Sequence, residues 1–360
     1  MNEERRNLSS YDISDHPLSN LEWWYCYTFL DGDRGNRYTL VASFFRVGDL
    51  PILKGHYLIY SLVRLNDKKV TTRSLLDRTL VGQMLAFYLP AYLLMNPTDR
   101  IVWGQYSHLL KGTLPYPHLL MSRGSVQSKP TKLEYGQSQL AFEETPDPHF
   151  RLQLIDQTFQ AELLFHPQKP LANIDEDGKL NKLRYHSLPR NQVLGQIEQG
   201  GMTETVTGEG WFDHQWGRDY GLLQGMGWDW FGLQLDDGRD VLISRLHSPD
   251  SDSPQAPIAK LIEKNGTVIT SENVILKPLK YWSSIYTKIK YPIEWQITLP
   301  DFSIELHIVP QINNQEIPII GPLQAIWEGS CTIIGEQRYS EGHRKPLKGK
   351  GFIELVGYAE

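Results

Sequence analysis

An acid, an imidazole and an amide stand side by side at Asp213-His214-Gln215, flanked by Trp211-Phe212 and Trp216, with glycines at 208, 210 and 217. A carboxyl held among indoles is poorly solvated, so its neutral form is favoured and its pKa rises. Such a group can lend a proton near neutral pH. Hydration of an isolated trisubstituted alkene begins with that step, because a weakly basic double bond needs a positioned acid. Indole and phenol faces then stabilise the tertiary cation, by roughly 0.5 to 2 kcal/mol each. Water captures the cation in a hydration, and an internal alkene captures it in a cyclisation. A pericyclic closure needs no proton, only a snug pocket that holds the substrate folded. A third reading is a carrier that binds an apolar ligand and returns it unchanged.

On a strand, Trp211, Asp213 and Gln215 share one face while Phe212, His214 and Trp216 share the other. Asp213 and His214 can serve one cavity only if the glycines bend the chain. Asp213 is the expected acid, with His214 as its rival or orienting partner. A second aromatic stretch, Glu22-Trp23-Trp24-Tyr25, follows Asp15-His16-Pro17, and Glu22 reads as a salt-bridged core acid. The residues expected to line a substrate site are Trp23, Trp24, Tyr25, Tyr185, Trp211, Gln215, Trp216, Trp228 and Trp230.

Other chemistries find no footing. The net charge is −6 and no basic block occurs, so nucleic acid is not an expected partner. There is no Gly-x-Ser-x-Gly elbow and no phosphate-binding glycine loop. The eleven histidines are scattered without metal-ligand spacing, so neither a metal nor a cofactor is expected. Two cysteines, Cys26 and Cys331, make no disulfide framework and suit a reducing cytoplasm. The first ten residues carry no apolar run, so no signal peptide and a cytoplasmic location are expected.

Most of the chain reads as β. Asp31-Gly32 and Gly35-Asn36 separate two apolar-aromatic runs, and Asp236-Asp237-Gly238 separates two more, which are hairpin signals. Further strands are expected at Tyr57–Arg64, Phe150–Ile155, Thr158–Phe165, Thr267–Thr270, Ile293–Leu299, Phe302–Ile308, Glu328–Ile334 and Gly351–Gly357. This pattern gives an all-β chain of antiparallel barrels or sandwiches. Its 360 residues form two similar halves, expected as domains 1–195 and 196–360. Ser251–Pro257 and Gly335–Lys350 read as exposed loops. The apolar run Leu80–Met95, with Pro90 in its middle, predicts a helical insertion at about residues 77–97, within a helical region near residues 75–110. It reads either as a buried kinked helix or as a lid touching a membrane as a peripheral contact.

Several of these stretches together resemble the carotenoid 1,2-hydratase (hydroxyneurosporene synthase) and AttH-like family. They are Glu22-Trp-Trp-Tyr25, Tyr185 to Arg190, Trp211-Phe-Asp-His-Gln-Trp-Gly217, Trp327-Glu-Gly329 and Glu354-Leu-Val-Gly-Tyr358. The resemblance implies two packed lipocalin-like β-barrels, with a ligand cavity at or near their junction. It also implies a cofactor-independent hydratase or cyclase of a bulky isoprenoid or polyene, in which Asp213 matches the acid of the family's Asp-His-Gln-Trp block.

Overall fold

The structure is a computed structural model that describes residues 13–143, 148–178, 183–247, 254–339 and 343–358. It is nearly all β and divides into two compact units, Met1–Pro90 with Leu109–Asp219 and Ala91–His108 with Tyr220–Glu360.

In the first unit β1 (Leu21–Gly32), β2 (Arg37–Val47), β3 (Gly55–Arg64) and β4 (Lys69–Leu76) form an antiparallel meander. A short β5 (Leu119–Leu120) adds to β4 in parallel. A second meander runs through β6 (Ser125–Ser128), β7 (Thr131–Tyr135), β8 (Ser138–Glu143), β9 (His149–Ile155) and β10 (Phe159–Pro167). The short β11 (Ala172–Asp175) flanks β12 (Leu183–Gln199), which lies between β10 and β13 (Met202–Gly217). β13 returns to pair with β1, so first and last strands are neighbours at the middle of the sheet. One face of these strands supplies a single core that includes Trp24, Phe44, Phe142, Phe150, Phe165 and Phe212. Strands from both meanders contributing to one cluster means that the sheet curls around it.

The second unit repeats the plan. Its meander is β14 (Gly227–Leu235), β15 (Asp240–His247), β16 (Ile258–Ile262) and β17 (Val268–Ser271). Then follow β18 (Ile275–Ser283), β19 (Lys290–Leu299), β20 (Ile304–Pro310), β21 (Glu316–Pro318), β22 (Ala325–Arg338) and β23 (Arg344–Val356). β23 pairs with β14 as β13 pairs with β1. Its core gathers Phe231, Ile243, Trp295, Ile297, Trp327 and Ile353.

Two sequence expectations shift here. The boundary expected between 195 and 196 falls inside the β12–β13 hairpin, whose turn is Gly200-Gly201 with φ of 63° and 76°. Only glycine takes two such angles freely, so the pair marks a tight turn within one unit. The division between units comes instead after Asp219. Most of the Gly335–Lys350 stretch, expected as a loop, is strand: β22 and β23 pair from Ile326 with Val356 out to Arg338 with Arg344. The polar side chains that suggested a loop stand on a ribbon exposed to water. Residues 251–253 of the other expected loop lie outside the described residues.

The helical insertion is α1 (Arg78–Gln83), a π turn (Met84–Tyr88), α2 (Leu89–Met95) and α3 (Arg100–Leu110). Asp77 caps α1, its carboxylate accepting from the Leu80 N–H at 2.8 Å. Leu80, Met84, Leu89 and Leu93 are buried, at steps of four, five and four residues. The five-residue step coincides with the π turn, which keeps the stripe on one face. Pro90 lies two residues past the π turn, inside a helical run unbroken from Arg78 to Met95.

Candidate active site on the central strands

β13 lies between β1 and β12, and the register fixes what surrounds its acid. Asp213 is opposite Tyr25 on β1 and Ser187 on β12, while Gln215 is opposite Trp23 and Tyr185. Side chains alternate along each strand, so these six belong to one face. His214 is opposite Trp24 and His186 on the other face, the one that carries Phe212 and Trp24 of the core. The strand is regular through this stretch, and the glycines do not bring Asp213 and His214 together.

Asp213 is 2% exposed. Its Oδ2 accepts from the Tyr185 hydroxyl at 2.6 Å, and its Oδ1 accepts from the Trp211 indole N–H at 2.7 Å and from the Ser187 hydroxyl. Burial pushes the carboxyl up to about 7, against the three hydrogen bonds that favour its ionised form. All three donors are neutral. Desolvation outweighs them because no cation contributes. Tyr27 stacks on Trp211 at 5.9 Å between ring centroids, and Tyr25 meets Tyr27 edge-on at 6.3 Å.

The opposite face holds a different group. The His214 Nε2 lies 2.9 Å from Glu22 Oε1, and the His16 Nδ1 lies 3.0 Å from the same oxygen. The His16 backbone N–H also donates to Glu22, and Arg46 reaches Glu22 Oε2 at 2.5 Å and Asp15 at 2.5 Å. Burial alone would raise Glu22, but the hydrogen bonds from His16 and His214 and the charges of His214 and Arg46 hold it down to about 2. The rings are fixed by stacking, His214 on Trp24 at 4.9 Å and His16 on Trp216 at 4.2 Å. One ligand atom each from His16, Glu22 and His214 fall within 4.8 Å of one another, so this set could hold a metal ion. Four donors already occupy the Glu22 carboxylate, however, and as it stands the cluster is an ion-pair network in which the buried Arg46 Nε has no hydrogen-bond partner.

The expected site residues therefore divide. Asp213, Trp211, Gln215, Tyr185, Tyr25 and Trp23 share one face of the central strands, with Tyr185 and Trp211 in contact with the acid. His214, Trp24 and Trp216 lie on the core side with Glu22. Trp228 and Trp230 belong to β14 of the second unit. Ser187 and Arg46 were missed by sequence reasoning. Ser187 was legible, since it stands two residues from Tyr185 and shares its face once that stretch is read as strand. Arg46 carried no local signal, because only its pairing opposite Glu22 across β1 and β2 gives it a role.

The AttH-like family model matches residues 120–358. An AttH structure from Nitrosomonas europaea has 22% identity and a TM-score of 0.72, over 97% of this chain and 96% of that one. Kievitone hydratase from Nectria haematococca has 14% identity and a TM-score of 0.66, over 98% and 95%. The structure of CghA has 10% identity and a TM-score of 0.53, over 94% and 89%. At these identities the likeness is one of fold, the lipocalin-like two-domain arrangement of antiparallel sheets. No curated protein matches the chain.

Proposed function

The chain belongs to the AttH-like family, and we propose that it is a cofactor-independent hydratase or cyclase of a bulky apolar molecule, with Asp213 as its acid. One observation carries this reading: Asp213 is a buried carboxyl held by three neutral donors, with a pKa of about 7. A carboxylic acid that is still protonated near neutral pH is what alkene protonation requires. The hydratase among the similar folds supports the same class of reaction.

In the proposed mechanism the Asp213 carboxyl gives its proton to one alkene carbon, and the π pair forms the new C–H bond. The tertiary cation left on the neighbouring carbon takes the oxygen lone pair of water, and the oxonium returns a proton to the Asp213 carboxylate. The sum is alkene plus water to alcohol, with the acid restored. If an internal alkene captures the cation instead, a ring closes and a C–H proton returns to Asp213. Tyr185, Ser187 and Trp211 hold the carboxyl and stabilise it after the proton has left. Tyr25, Trp23 and Gln215, on the same face, are the nearest candidates to meet substrate. His214 anchors β13 from behind through Glu22 and does not touch the acid. An isoprenoid or polyene, including a carotenoid, is the substrate class this chemistry favours.

Wild type and Asp213→Asn, purified from the native host and extracted with organic solvent, test the reading by mass spectrometry. The variant should retain a compound that wild type returns with the mass of water added, or as an isomer of equal mass. The same unaltered compound in both would make the protein a carrier.

A further inference from the structure

Within the second unit, part of the helical insertion and the turn between β18 and β19 line an open cleft of about 850 Å³. That volume suits a small-molecule ligand. Tyr92, Asn96 and Ile101 come from the insertion, Thr287 and Ile289 from the turn, and Tyr358 from the chain just after β23. None of the described lining residues is Asp, Glu, Lys, Arg or His, so the lining has no formal charge of its own.

Charge stands one hydrogen bond behind it. Three lining side chains carry a hydroxyl, and each gives its proton to a carboxylate outside the lining. Tyr92 donates to Asp99 at 2.9 Å, Thr287 to Glu316 at 2.6 Å and Tyr358 to Asp229 at 2.6 Å. A hydroxyl has one proton to donate, so none of the three has one left for a ligand. Burial and the carboxylate beside each phenol push Tyr92 up to about 12 and raise Tyr358 as well, so both keep their protons.

The three carboxylates are not equally balanced. Asp229 is paired with Arg245. Asp99 takes the Ile101 and Val102 N–H groups besides the phenol, and all three donors are uncharged. Glu316 on β21 is held by the Ser284, Thr287 and Tyr291 hydroxyls and forms no ion pair among the described residues. Two carboxylates beside the cleft thus lack a cation, and their field reaches it through a low-dielectric wall. Arg100 and Lys288, next in sequence to lining residues, are exposed and take no part in the lining.

We propose that this cleft binds an organic ammonium ion, with the Asn96 and Gln324 side-chain amides accepting from its N–H groups and its hydrocarbon part against Ile101, Ile289 and Leu323. An ammonium supplies the donors that the lining hydroxyls have already spent, and its charge meets Asp99 and Glu316. Phenol rings such as those of Tyr92 and Tyr358 attract a cation further. An anion would be repelled by the same field, and a neutral alcohol would gain nothing from its charge. This site is separate from Asp213 and stands whether or not Asp213 is an acid.

Calorimetric titration of the full chain with hexylammonium, hexanol and hexanoate tests it, since the probes share one hydrocarbon length and differ in charge. Hexylammonium should bind at least about tenfold more tightly than hexanol, and hexanoate should not displace it. Added salt should weaken hexylammonium and leave hexanol unchanged. Asp99→Asn, which still caps α3, and Glu316→Gln, which keeps an acceptor for the turn, each remove one charge. Each should lower hexylammonium affinity about fivefold without changing that of hexanol, in protein that melts as a single transition. Asn96→Trp fills the cleft from its exposed edge and should abolish binding of hexylammonium. Equal affinity for hexylammonium and hexanol overturns the proposal, as does hexanoate bound the more tightly or no binding by hexylammonium at all. Hexylammonium binding that is unchanged in Asp99→Asn, the variant least able to disturb the fold, or retained in Asn96→Trp, also overturns it.

Discussion

Glu22 and Asp213 lie on adjacent strands of one sheet, both almost wholly buried, yet their acidities are driven in opposite directions. Burial penalises both carboxylates. At Glu22 hydrogen bonds from the His16 and His214 imidazoles, with the charges of His214 and Arg46, overcome that penalty, and at Asp213 two hydroxyls and an indole do not. What separates them is hydrogen bonding from two imidazoles at Glu22, to which the charges of His214 and Arg46 add, where Asp213 has only hydroxyls and an indole. The second unit repeats the Glu22 arrangement. Asp229 on β14 faces Arg245 on β15, in the register by which Glu22 on β1 faces Arg46 on β2. Arg245 donates to Asp229 from Nε at 2.7 Å, and the Tyr358 hydroxyl adds a bond at 2.6 Å. A first-strand carboxylate tied to a second-strand arginine is thus a structural device of this fold, used once in each unit. Asp213 departs from it, and that departure is what the proposed acid requires.

The largest expected effect of breaking this contrast is on turnover. Asp213→Asn keeps shape and hydrogen bonding but has no proton to give, and should lower kcat by about 10²–10⁴, the usual worth of a general acid. Steady-state rates on the substrate found by extraction would measure it. Glu22→Gln strikes the other face. It leaves Arg46 with Asp15 as its remaining carboxylate partner and should cost about 1.5–3 kcal/mol of stability, the worth of a hydrogen bond to a charged group, read as a lower denaturant midpoint at pH 7. The loss should shrink in acid. The folded pKa of Glu22 is depressed from 4.5 to about 2, so its contribution is full above 4.5 and disappears as pH falls through about 2.

Asp213 should behave with the opposite sign. Its folded pKa is raised from 3.8 to about 7. Between those values the native state holds a proton that the unfolded state has released, so the group's contribution falls as pH rises. The full shift corresponds to about 4 kcal/mol. Asp213→Asn should therefore melt close to wild type at acid pH and clearly above it at alkaline pH. The smallest effect sharpens the contrast without breaking it. Tyr185→Phe removes one neutral donor from the carboxylate, which raises the Asp213 pKa further, by about one unit or less. The alkaline limb of the pH–rate profile should move up accordingly, with kcat in its plateau modestly lowered because the carboxylate left by proton transfer has lost one donor.

The sequence made one half of this contrast legible. The Trp-Phe-Asp-His-Gln-Trp stretch pointed to Asp213 and to a raised pKa, because desolvation among indoles raises a carboxyl unless hydrogen bonds and charges outweigh it. It could not say that His214 faces away, since that depends on whether glycines bend the strand. Nor could it find Arg46 or assign His16 to Glu22, as those partners meet only through strand pairing and a turn. The hairpins at Asp31–Asn36 and Asp236–Gly238 were plain because their turn residues are local. β12 and β13 were not, as their glycines and Pro189 interrupt the pattern, and the domain boundary expected at 195/196 falls inside β12.

The central claim is that Asp213 is a protonated acid near neutral pH while Glu22 on the opposite face is ionised. Protein carrying ¹³C-labelled aspartate and glutamate carboxyls, titrated by NMR with Asp213→Asn and Glu22→Gln as assignments, measures both at once. The account predicts an Asp213 resonance that titrates near pH 7 and a Glu22 resonance that stays ionised down to the acid limit of folding. An Asp213 carboxyl already ionised at pH 5 would contradict it.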